Sequence, residues 1–275
     1  MKTSEKLLLA AGAALVGTAA ATLWMAAPGR AGAAGCAPFM GQNLAHRGLH
    51  NMEKRVPENS LAAFRAAAQA GYGVELDVRL TKDGQVVVSH DDALARMTYT
   101  YKKVSESDYE ELRALRLLGT EEHLPLFTEV LDILVPAELP IVVEVKACKN
   151  WKELCQKTLA ILDSYEGKFC VESFDPRIVG WWRFNAPDIL RGQLTSQYED
   201  LQGNRLLAWL SSRCLLNFVG RPQFIAHHVG KKAWTVRLAE MLGAMRVAWT
   251  AKNRDCEAHH DAVIFEGFTP PARYK

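Results

Sequence analysis

The chain has 275 residues, 49% of them apolar, with a formal net charge of +2. That length fits one large domain or two small ones, and that composition supports a sizeable core. The near-neutral charge, with no strongly acidic or basic tail, excludes the concentrated basic field of a nucleic-acid binder.

The first element is a membrane segment by length. Leu7 to Ala27 carries no charged residue, and at ~1.5 Å per residue it spans about 31 Å, close to the ~30 Å hydrocarbon core. Lys2 and Lys6 precede it and Trp24 lies near its far end, where an interfacial ring is at home. A cleaved signal peptide would use Ala31-Gly32-Ala33, and a lipoprotein signal would use Cys36 but lacks the large aliphatic residue three places before it. The run length favours a retained single-pass anchor over residues 1–27, with the membrane as a partner and the rest of the chain outside the cytoplasm. The cysteines, Cys36, Cys148, Cys155, Cys170, Cys214 and Cys256, point the other way. None forms a C-x-x-C pair, and scattered free thiols suit a reducing compartment.

Residues 28–41, rich in Gly, Ala and Pro, read as a linker. From residue 42 to about 270, short β-like runs alternate with amphipathic helices. The predicted strands are Asn43–His46, Val74–Val78, Gln85–His90, Pro140–Lys146, Lys168–Ser173, Ile189–Leu194, Gln223–His227, Arg246–Thr250 and Ala262–Phe265. Predicted helices are Leu61–Ala70, with Ser60 as N-cap and Gly71 as stop, then Glu106–Leu115, Phe127–Leu134, Lys152–Ser164, Pro176–Asn185 and Lys232–Leu242. This alternation predicts an α/β protein, a TIM-type (β/α)₈ barrel. A doubly wound sheet is disfavoured, because no Gly-rich phosphate loop follows the first strand. Nine strands compete for eight places. Val78 and Gln85 are too close for a parallel crossover, and Lys82-Asp83-Gly84 signals a turn, so an irregular early hairpin is expected.

The chemistry collects at strand ends. Glu75 and Asp77 share one face of a strand. If that face is buried, the pair repels unless a divalent cation neutralises it; a solvent-facing edge strand is the other reading. Glu144 follows four apolar residues and would supply a third carboxylate, an oxygen-rich set suited to Mg²⁺ or Ca²⁺; an ion pair with Lys146 also fits. His46 and His90 end two strands and could share acid and base work near neutrality, or be structural. Arg47 offers a planar fork for phosphate, and Gly48 would admit a ligand close to the backbone.

The ordered set His46-Arg47-Gly48, Pro57-Glu58-Asn59-Ser60, Glu75-Leu76-Asp77-Val78, Thr81-Lys82-Asp83-Gly84 and Val87-Val88-Ser89-His90-Asp91 resembles the glycerophosphodiester phosphodiesterase family. Leu124–Val130, Glu144-Val145-Lys146, Glu172-Ser173-Phe174 and Trp249-Thr250 extend the likeness to roughly residues 43–253. The resemblance implies a TIM-type barrel with one divalent metal, Ca²⁺ or Mg²⁺, on Glu75, Asp77 and Glu144. It implies His46 and His90 as the acid/base pair, Arg47 and Lys146 on phosphate oxygens, Glu58 near the metal, and Phe174 and Trp249 as cleft walls. Asn59 and Ser60 read equally as loop and helix cap.

The implied reaction is hydrolysis of a glycerophosphodiester to sn-glycerol 3-phosphate and an alcohol. Attack by the glycerol 2-hydroxyl through a cyclic intermediate and direct attack by water both fit. The sequence leaves open which histidine is the acid. A membrane-associated lysophospholipase D is the alternative. A tethered binding protein without turnover is a third reading, although binding alone needs no pair of titrating histidines. Two departures affect the rim. The family often ends its last strand in Asp followed by Pro, where this chain has Phe265-Glu266-Gly267-Phe268, and Asn253 falls one place late.

Overall fold

A computed structural model describes residues 3–30, 33–201 and 204–275. Among these residues nine strands follow one another as β1 Gln42–His46, β2 Gly73–Leu80, β3 Val86–Val88, β4 Ile141–Val145, β5 Phe169–Ser173, β6 Arg191–Thr195, β7 Phe224–His228, β8 Met245–Ala251 and β9 Ala262–Phe265. Eight of them pair in parallel, and β1 closes the ring by bonding both β2 and β9. β3 pairs antiparallel with β2, bridges to Leu126 through Val87, and stays outside the ring. The surplus strand, β3, thus forms the expected hairpin with β2, turned at Gly84 with φ of 80°.

Period-two alternation sorts the side chains. Val74, Leu76 and Val78 of β2 pack outward with Phe64, Phe127 and Leu131 of the helices. Leu44, Val142, Cys170, Phe224, Val247 and Ile264 fill the barrel interior. Two residues further along β1 and β4 come His46 and Glu144, so the same inward face turns polar at the C-terminal mouth. The helix Leu61–Gln69 starts where Ser60 Oγ accepts the Ala63 N–H at 3.1 Å, which settles Ser60 as a cap. Gly48 serves that helix too. Its φ is 79°, and a Cβ there would lie 2.8 Å from Ala63 Cβ, so its freedom of backbone accommodates the helix.

Between β3 and β4 a satellite core of Val87, Leu94, Met97, Val104, Tyr109, Leu112, Leu117 and Leu124 forms beside the barrel. The helices Arg205–Ser211 and Asn217–Gly220 fall outside the sequence expectation. They are short, and Arg205–Ser211 buries only Ala208, so neither shows an apolar stripe.

The N-terminal segment corrects the sequence reading. It is a helix, Thr3–Ala26. Yet no helix among the described residues is long and apolar enough to cross a membrane. The single-pass anchor and the membrane as its partner are therefore not supported, and the placement argued from that anchor loses its basis. The absence of charge is not the same as apolar surface. From Ala11 onward the helix is mostly Ala, Gly and Thr, whose small side chains remove little apolar area from water. Its far end meets protein as well. Trp24 stacks on Phe218 at 4.9 Å, Asn217 donates to the Ala26 carbonyl at 3.0 Å, and Arg221 donates to the Trp24 and Ala27 carbonyls. Lys2 and the Ala31-Gly32 part of the cleavage-like motif lie outside the described residues.

His227 of β7 is 1% exposed. Its Nδ1–H donates to the His228 carbonyl at 2.5 Å, and burial pushes its pKa down to about 4. The unfolded chain therefore binds a proton between pH ~6.5 and about 4 that the folded chain refuses, so stability falls as pH falls through that window. Against His227→Gln, the wild type should lose about 3 kcal/mol more on going from pH 7 to pH 4. Urea unfolding at both pH values reads this difference, and equal losses in the two proteins would contradict it.

Candidate active site

Strand register assembles the mouth. His46 of β1 stands beside Glu75 of β2, Asp77 of β2 beside Glu144 of β4, and Glu144 beside Glu172 of β5. Four carboxylates thus line one arc, each less than a tenth exposed. Oxygens of Glu75, Asp77 and Glu144 lie within 4.8 Å of one another. Lys146 Nζ bridges Asp77 and Glu144 at 2.7 Å each. Arg47 Nε lies 3.4 Å from Asp77, and Asn59 donates its amide to the same carboxylate at 2.8 Å. Asn59 therefore belongs to the site as well as to the loop.

The charges do not balance. Glu75, Asp77, Glu144 and Glu172 face two fixed cations, Arg47 and Lys146, which leaves two negative charges uncompensated. Titration follows from this. Burial would raise Asp77, but Lys146 and Arg47 outweigh it and hold its carboxyl well below the usual range. Burial, with repulsion from Asp77, pushes Glu144 up to about 7 against the pull of Lys146. Burial, then Asp77 and Glu144, drives Glu75 far up. Burial and Glu144 do the same to Glu172, whose Oε2 has no hydrogen-bond partner. Protons, or one divalent cation, supply the missing charge. An all-oxygen anionic set of this kind fits a hard cation such as Mg²⁺ or Ca²⁺.

Each histidine is held from behind by a carboxylate. His90 Nδ1 lies 2.7 Å from Asp91 Oδ1, and Arg96 Nε holds the other Asp91 oxygen at 2.7 Å. Arg96 also grips Glu58 through two contacts of 2.7 and 3.0 Å, and Glu58 accepts from Arg47 at 2.8 Å. Glu58 is thus a link between two arginines and stands outside the carboxylate cluster. Its carboxyl stays below the usual range because Arg96 and Arg47 outweigh its burial. His46 Nδ1 lies 3.2 Å from Glu266 Oε2, and its Nε2 lies 3.9 Å from Glu75. Burial lowers the His90 pKa, opposed by Asp77 and helped by Lys146.

His46, Arg47, Glu75, His90, Glu144 and Glu172 border a cavity of about 200 Å³, whose apolar side is Phe174, Leu194, Trp249 and Ile264. Phe174 and Trp249 meet edge to face at 5.5 Å, and the indole N–H donates to the Ala226 carbonyl. Lys146 does not border this cavity; its ammonium is held by the two carboxylates. A second cavity of about 590 Å³, bordered by His50, Met52, Glu266 and Phe268, also reaches His46. The sequence reading missed Glu172, Asp91, Arg96 and Glu266 as members of the site. Glu172 and Asp91 lie inside the family-like motifs, and Glu266 marks a departure from the family pattern.

A closed parallel (β/α)₈ barrel defines the class: a TIM-barrel protein whose acidic mouth is suited to a cation and is flanked by two carboxylate-held histidines. A family model, the glycerophosphoryl diester phosphodiesterase family, matches residues 46–267, and the chain belongs to that family. It is 36% identical over 113 residues to a glycerophosphodiester phosphodiesterase of Caldanaerobacter subterraneus subsp. tengcongensis, covering 38% of this chain and 44% of that protein. It is 35% identical over 141 residues to a lysophospholipase D of Rattus norvegicus, covering 46% of this chain and 43% of that one. The chain thus spans less than half the length of either relative. The structure of an Oleispira antarctica phosphodiesterase, solved in complex with the product sn-glycerol-3-phosphate, superposes with a TM-score of 0.68 at 23% identity. That likeness covers 82% of this chain and 93% of the other, and it speaks for the fold.

Removing the bridging ammonium tests the electrostatic account. In metal-free protein at pH 7, Lys146→Met should cost about 3–5 kcal/mol of unfolding free energy, because it strands two buried carboxylates. Denaturant unfolding measures this, and a loss under ~1 kcal/mol would show that Lys146 does not hold the cluster.

Proposed function

We propose that this chain is a divalent-metal-dependent phosphodiesterase that hydrolyses glycerophosphodiesters to sn-glycerol 3-phosphate and an alcohol. The observation that carries the reading is the double charge deficit at the mouth, set beside two histidines whose far nitrogens are tied to carboxylates. Membership of the family supports it, as do the phosphodiesterases among its relatives. A divalent cation held by Glu75, Asp77 and Glu144 would offset phosphate charge and make a nearby hydroxyl more acidic.

The chain's own residues do the rest. Arg47 borders the cavity, and with Nε beside Asp77 and Nη1 on Glu58 its guanidinium would take a phosphate oxygen. Asp77 and Glu58 fix it in that place, and Arg96 fixes Glu58. Of His46 and His90, one accepts the proton of the attacking water or glycerol 2-hydroxyl and the other protonates the departing alkoxide; where the 2-hydroxyl attacks, water then opens the cyclic ester with the roles reversed. Lys146 keeps Asp77 and Glu144 in position. Phe174, Leu194 and Trp249 give the non-reacting part of the substrate an apolar wall.

A second reading is supported by that apolar wall and by the lysophospholipase D relative. In it the same chemistry acts on a lyso-lipid. Turnover of soluble glycerophosphocholine against lysophosphatidylcholine separates the two.

Release of sn-glycerol 3-phosphate from glycerophosphocholine, followed with and without chelator, tests the main proposal. Activity should vanish with chelator and return with Ca²⁺ or Mg²⁺. His46→Ala and His90→Ala should each lose about 10²–10⁴-fold in turnover with the fold retained. Undiminished activity in either variant, or in chelator, would refute the assignment.

A further inference from the structure

Glu266 follows directly on β9. Because β9 and β1 are paired with Ala45 opposite Phe265, the next step along both strands brings Glu266 beside His46. The barrel's closing seam therefore sets their separation. Glu266 Oε2 lies 3.2 Å from His46 Nδ1. Lys252 Nζ holds the same oxygen at 2.8 Å, and His50 Nε2 stands 3.5 Å from Oε1. The other ring nitrogen of His46 points away from Glu266, 3.9 Å from Glu75 on the cavity side.

We infer that Glu266 is a positioning residue for His46, holding the ring by Nδ1–H so that Nε2 is the nitrogen presented to the reacting group. The inference rests on the reading of His46 as a proton carrier. An imidazole on a strand end can rotate and can carry its neutral-state proton on either nitrogen. A carboxylate behind Nδ1 removes both freedoms: it accepts the Nδ1–H and fixes the ring plane. Asp91 stands to His90 Nδ1 in the same relation at 2.7 Å, so both rings present Nε2. Lys252, itself exposed, anchors the Glu266 carboxylate from the outside. A neutral amide at the same place would lose this control, since it can offer the ring a donor as readily as an acceptor.

The test is a double-mutant cycle read as kcat and KM on glycerophosphocholine at saturating Ca²⁺ or Mg²⁺. The proteins are wild type, Glu266→Gln, His46→Ala and the double variant, each checked for an unchanged thermal midpoint. Glu266→Gln should lower kcat by about 10- to 100-fold with KM within about twofold, and in the His46→Ala background it should change nothing further. A kcat within twofold of wild type, or the same loss with His46 absent, would overturn the inference. A wild type with no turnover on any glycerophosphodiester would overturn the reading beneath it and the inference with it.

Discussion

The rest of the structure depends on one constraint: four carboxylates meet at the barrel mouth with only two fixed cations to balance them. Register makes the meeting unavoidable, because Asp77, Glu144 and Glu172 sit side by side on three neighbouring strands. Burial multiplies its effect, since a charge in this mouth has little water to screen it. The site is therefore unfinished by its own electrostatics. It holds protons, as the raised Glu75, Glu144 and Glu172 carboxyls show, or it takes a divalent cation.

Around that deficit the basic groups fall into two sets. Lys146 is inside, locked between Asp77 and Glu144. Arg47 stands at the boundary, tied to Asp77 on one side and Glu58 on the other. From Glu58 the chain of contacts continues through Arg96 to Asp91 and so to His90. One network thus connects the groups assigned to phosphate, to the cation and to one proton transfer. Arg96 comes from the segment between β3 and β4, whose satellite core gives it a fixed base. Displacing that segment would loosen Arg47 and His90 together.

Much of this was readable from the residues. Glu75 and Asp77 stood out because period two put both on one face of an apolar strand, and Glu144 because four apolar residues preceded it. The strands were legible for the same reason, down to the surplus one that became β3. Glu172 needed the register between β4 and β5, which no local pattern encodes. Glu266 needed the closing seam, which joins residues 220 apart in sequence. Asp91 and Arg96 are ordinary surface types until Glu58 is placed between two arginines. The N-terminal helix shows the opposite failure. A charge-free run was legible, but its small side chains and the contacts of Trp24 with Phe218 set it apart from a membrane span.

The central claim is that the mouth lacks two positive charges and takes one divalent ion to supply them. Calorimetric titration of metal-free protein with Ca²⁺ and with Mg²⁺ at pH ~6.5, repeated in buffers of different ionisation enthalpy, tests it most directly. The account expects one ion per chain, release of on the order of one proton or more as the buried carboxyls give theirs up, and loss of both signals in Glu75→Gln. Absence of binding by either ion, or binding without proton release that Glu75→Gln leaves intact, would contradict it.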